Sequence, residues 1–167
     1  LFTTALFGLA VHRGWAWLAI AATTLGFAWI SFLLFALGAS ELSAPAAFVV
    51  LLAIGACLAF PRAGIASPWL RLAPLVAGLV QLLLFAPALD FSALAWALYL
   101  TLAAAALALA WRDDAYLPGA LAALTLTLLL LTIGLAQPQM GTSWAAAIAA
   151  AFLFAVPGLI LLHRARI

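Results

Sequence analysis

Long apolar runs alternate with short polar breaks along the whole chain. Runs such as "TLAAAALALAW" (101–111) and "LTLTLLLLTIGLA" (124–136) are sustained, whereas the strands of a membrane barrel alternate apolar and polar residues with period two. A bilayer core of ~30 Å takes about 20 residues of helix. Six stretches meet that length: residues 15–38, 43–60, 69–89, 91–111, 116–136 and 144–162. An apolar run over 1–11 is too short to cross. The pattern predicts an all-α, polytopic transmembrane helical bundle occupying 1–167 as a single domain, with six full spans and one partial N-terminal span.

The breaks are "ASELSA", "PRAGIASP", "PALD", "RDDA" and "QPQMGTS". Proline and glycine gather in them, as expected where a chain turns, and their brevity makes each pair of spans a tight hairpin. The most polar of them, Arg112–Asp113–Asp114, reads as a wet turn, with Asp114 placed to cap the next helix. The chain opens on Leu, and its first basic residues, His12 and Arg13, follow the apolar run rather than precede it. A secretory signal has the opposite order. The start therefore reads as the tail of a helix, and the chain as part of a larger multi-spanning protein.

Charge gives the bundle an orientation. Following the chain back and forth, His12, Arg13, Arg62, Arg71, Arg112, His163, Arg164 and Arg166 fall on one side, while Glu41 and Asp90 fall on the other. Four basic clusters share a side by chance about one time in eight, and the positive-inside bias makes that side cytoplasmic. The expected location is a bacterial inner membrane, with the arginine loops and the C-terminus inside. Trp15, Trp17, Trp69, Trp111 and Tyr116 gather near the same face, where amphipathic rings anchor at headgroup level. The basic markers recur at intervals of about fifty residues, which fits a duplicated hairpin and equally fits the length any pair of short-looped spans must have.

Composition agrees: 71% of residues are hydrophobic and only 6% charged, against about a quarter charged in soluble domains. The net charge of +2 is no nucleic-acid footprint. One cysteine, Cys57, excludes an internal disulfide and any multi-cysteine metal site.

Candidate chemistry is sparse. Every Asp, Glu, Arg and His lies at a predicted helix end or in a loop, so no ionisable side chain marks a proton relay or voltage sensor at bilayer depth. Gln81 is the deepest polar side chain, about 18 Å along its helix. Thr24, Thr101 and Thr125, with Thr23 and Thr127, stand at similar depth. They form either a polar level lining a cavity for an uncharged or zwitterionic ligand, or a set of helix-to-helix and back-to-backbone hydrogen bonds. Pro157, before Gly158, is expected to kink the last helix. Ser143 has no nucleophile-elbow glycines and no histidine partner. Two histidines fall short of the three ligands of a catalytic zinc, and phosphate-binding glycine motifs are missing. No catalytic residue, metal ligand or cofactor is assigned. Glu41 and Asp90 are the only acids available to an enzyme acting on lipid-linked substrates.

The stretches "HRGWAWLAIAATTLGFAWISFLLF" and "FSALAWALYLTLAAAALALAWRDD" share a texture: Arg, a short gap, Trp, then an Ala/Leu span holding a Trp that is expected to be buried. In texture and spacing they resemble segments of the bacterial multi-spanning family catalogued as domain of unknown function 2339. That resemblance implies an array of helical hairpins in a predicted membrane protein and carries over no functional residue. The expected partners are the lipid bilayer and other membrane helices, including the rest of its own chain. Small-residue faces such as Ala103–Ala106 let such helices approach closely. The reading reached is a non-enzymatic membrane scaffold, with a transporter or flippase for a small or lipid-like substrate as the alternative.

Overall fold

A computed structural model describes residues 2–38, 41–137 and 140–164, without the side chains of 140 and 158–164. In lipid, each backbone N–H and C=O must find its partner within the chain. The described residues answer with helix throughout and no strand, 89% of the chain in all. The helices are α1 (Phe2–Arg13), α2 (Ala16–Ala36), α3 (Ser43–Arg62), α4 (Pro68–Ala88), α5 (Ala93–Arg112), α6 (Leu117–Leu135) and α7 (Met140–Arg164).

Five of them, α2 to α6, are long and apolar enough to cross a membrane. They match the expected spans to within two or three residues at each end. The 12-residue α1 is too short, as expected. In α7 the apolar stretch found among the described residues runs only over Gly141–Pro157, although the helix continues through Pro157 to Arg164 without interruption.

Successive helices pack side by side, and α3 sits at the centre, touching α1, α2, α4 and α5. Half of the α3 and α4 spans is buried against other helices, but only 22% of α2, which leaves most of α2 to lipid. Small residues make the central approach close. A Cβ added at Gly78 of α4 would stand 2.8 Å from the Ala53 Cβ of α3 and 2.9 Å from Leu102 of α5. Glycine there is what allows three helices to meet. Ala103 and Ala106, from the expected small-residue face, are fully buried.

Three turns share one geometry. Past α1, α3 and α4, an amide bonds back to the carbonyl five positions earlier: Trp15 to Ala10 at 2.9 Å, Ile65 to Phe60 at 3.1 Å and Phe91 to Ala86 at 2.9 Å. The residue between is left-handed, with φ of 65° at Gly14, 86° at Gly64 and 52° at Asp90. This Schellman closure satisfies carbonyls that a helix end leaves orphaned. In the third case an Asp takes the place usual for glycine, and Phe91 follows it at φ 49°.

The turn before α6 corrects one expectation. A 3-10 turn over Asp114–Tyr116 precedes the helix, so the capping position moves back one residue. Asp113, in extended conformation, accepts from the Ala115 amide at 3.0 Å. Asp114 lies inside the turn and is not the cap.

Candidate functional site: the groove between α2 and α4

Matching stripes on α2 and α4 face one another. Ile20, Thr23, Thr24 and Phe27 on α2 meet Leu70, Ala73, Pro74 and Ala77 on α4, with Phe60 of α3 as the floor, around a groove of about 290 Å³. Both stripes follow the i, i+3, i+4, i+7 spacing of one helix face. Pro74 has no N–H, so the Leu70 carbonyl on the groove wall lacks its helical donor.

One turn beyond Ala77, Gln81 reaches across to α2. Its Nε2 donates to the Phe27 carbonyl at 2.8 Å and to Ser31 Oγ at 2.6 Å. Ser31 Oγ in turn donates to the same carbonyl at 3.0 Å. A carbonyl only accepts, so the amide nitrogen must face α2. Gln81 is 8% exposed, and its Oε1 is buried with no partner. A buried acceptor left unmade costs about 1–3 kcal/mol.

Of the residues expected to share a polar level, Gln81 and Thr24 belong to this α2–α4 seam, and Thr24 is exposed to the groove. Thr101 and Thr125 do not join them. Both are exposed and donate to their own helices, to Ala97 O at 2.7 Å and Leu121 O at 2.9 Å. Thr23 and Thr127 are buried and likewise bond back one turn, to Ala19 and Ala123. The partner that sequence reasoning missed is Ser31. It was legible as the continuation of the Thr24–Phe27 stripe, one turn past Phe27.

A second group of buried polar atoms lies toward the opposite end of the bundle. Trp96 Nε1 and Ser143 Oγ are buried without hydrogen-bond partners. Ser143 is fully buried, and its Oγ lies 2.9 Å from where a Gly134 Cβ would stand. No group of three potential metal ligands occurs among the described residues.

Among the described residues the arginines sit at one end. Arg13, Arg62 and Arg112 close α1, α3 and α5, and Arg71 opens α4. Arg62 Nη1 donates to Leu58 O at 2.6 Å, and Arg71 Nε to Ile65 O at 2.7 Å. Helix α7 ends at Arg164, whose side chain lies outside the described residues, as does all of Arg166. Glu41 and Asp90 are exposed in the turns of the other end.

No family model, curated protein or solved structure matches the chain. Five long apolar helices therefore carry the classification: a multi-pass α-helical membrane protein.

Proposed function

We propose that the chain is a non-enzymatic, membrane-embedded scaffold, or the structural part of a larger envelope protein. It crosses a bacterial inner membrane with six full spans and a partial one, its arginine end cytoplasmic. Membership in the family of domain of unknown function 2339 belongs to the same proposal and rests on the texture described above. One observation carries the reading: the deepest polar side chain, Gln81, fastens α4 to α2, and the threonines at its level bond to helix backbone or face the groove.

The α2–α4 groove favours a second reading, carriage of a small or lipid-like substrate. Gln81 Oε1 is an unused acceptor one turn from its wall. Thermal unfolding of the purified full-length protein in detergent, against a panel of lipids and small metabolites, separates the two. A ligand at 100 times its Kd adds about 2.7 kcal/mol, roughly 5–10 °C in Tm. The scaffold predicts no selective metabolite response, in the wild type or in Gln81→Leu. A selective rise in Tm that Gln81→Leu abolishes overturns it in favour of carriage.

A further inference from the structure

Two grooves flank a single side chain on the face formed by α1, α3 and α5. Leu58 of α3, 46% exposed, is the wall they share. On one side a groove of about 480 Å³ runs between α1 and α3, past Phe7, Gly8 and Gly55 to His12 and Arg62. On the other, a groove of about 250 Å³ runs between α3 and α5, past Ile54, Ala105 and Ala108 to Arg112. Small residues open both: a Cβ added at Gly8 would meet nothing within 4 Å.

The three helices run in the same direction, so both grooves have their cationic mouths at the same end. His12 and Arg62 stand at one mouth and Arg112 at the other, each in the last turn of its helix. Arg62 gives Nη1 to its own helix end, which leaves the other donors of its five-donor fork for a ligand. Arg62 and Arg112 are both exposed. The adjacent Asp113 is turned to the Ala115 amide.

We infer that this face binds one anionic diacyl phospholipid, its phosphate between Arg62 and Arg112 and one tail in each groove astride Leu58. The two shallow grooves give each chain an apolar track along the helices. The charge selects the lipid. Guanidinium groups recognise phosphate through parallel N–H donors, and a net negative headgroup is favoured by a bundle end rich in arginine. The inference requires only that this end lies at the headgroups of a leaflet, so it stands apart from the scaffold reading.

Native mass spectrometry of the full chain, titrated with phosphatidylglycerol and with phosphatidylcholine of the same tails, tests it. One phosphatidylglycerol should be retained in preference. The exposed pair Arg62→Gln with Arg112→Gln should weaken it roughly tenfold or more. Ala108→Phe, which fills one groove and leaves the arginines intact, should weaken phosphatidylglycerol but not inorganic phosphate. A rise in Tm with phosphatidylglycerol, lost in the double arginine variant, gives the same answer independently of folding yield. Equal retention of the two lipids, an unchanged double arginine variant, or a second copy of the chain in place of lipid would each overturn the inference.

Discussion

Asp90 and Phe91 hold left-handed φ values of 52° and 49° in succession, a conformation that costs L-residues roughly 1–2 kcal/mol each. The turn persists because its surroundings fix it. The Phe91 amide bonds to Ala86, Thr142 Oγ1 donates to the Phe91 carbonyl at 3.0 Å, and the Phe91 ring packs 6.3 Å from Trp96. Asp90 itself is exposed and contributes no side-chain hydrogen bond in the turn. Asp90→Gly should therefore stabilise the protein by about 0.5–1 kcal/mol, the relief of strain being partly offset by the greater freedom of glycine in the unfolded chain. Thermal unfolding in detergent should register a rise of roughly 1–4 °C. A fall in Tm would show that the Asp90 carboxylate stabilises the turn and would overturn the prediction.

Helix positions were legible because run length alone decides them in a bilayer. The faces of those helices were not. A soluble helix announces its inward side by a polar outer face, but these helices are apolar all round because lipid is their solvent. Rise per residue put Gln81, Thr24, Thr101 and Thr125 at one height, and height says nothing of azimuth. Packing alone turned Gln81 inward and Thr101 and Thr125 outward. The cap before α6 was misread for a related reason: a three-residue 3-10 turn shifts the capping position by one, and composition gives no sign of it. The α2–α4 seam can be measured as a unit. In a double-mutant cycle, Gln81→Leu and Ser31→Ala should each change stability modestly, with a coupling of about 0.6 kcal/mol, typical of interhelical bonds in membranes. Strict additivity would show that the two side chains do not act together.

Among the described residues, His12, Arg13, Arg62, Arg71 and Arg112 collect at one end and Glu41 and Asp90 at the other. Its sole cysteine, Cys57, is only 2% exposed, so the wild-type protein offers a dark background for thiol labelling. Ala66→Cys, in the exposed α3–α4 turn at the arginine end, and Glu41→Cys, at the other, should react with a membrane-impermeant maleimide from opposite sides in intact cells and inverted vesicles. Labelling of Glu41→Cys from outside and Ala66→Cys from within is the expected result. The reverse would invert the proposed orientation, and labelling of both from one side would contradict the alternation of helices.

The bond from Thr142 to Phe91 spans 51 positions of sequence, and membrane chains are made from the N-terminus onward. The hairpin of α4 and α5 is thus synthesised while the group that fastens its turn is still inside the ribosome. Ser143, whose Oγ closes on Gly134 beside Phe91 and Trp96, arrives with the same helix. Until α7 enters, that turn is an unlatched bend, so α7 completes what the α4–α5 hairpin began. A nascent chain halted after Gln137 should accordingly be cut by protease at 89–91 faster than the finished protein, and equal cutting would show that the turn holds without its latch.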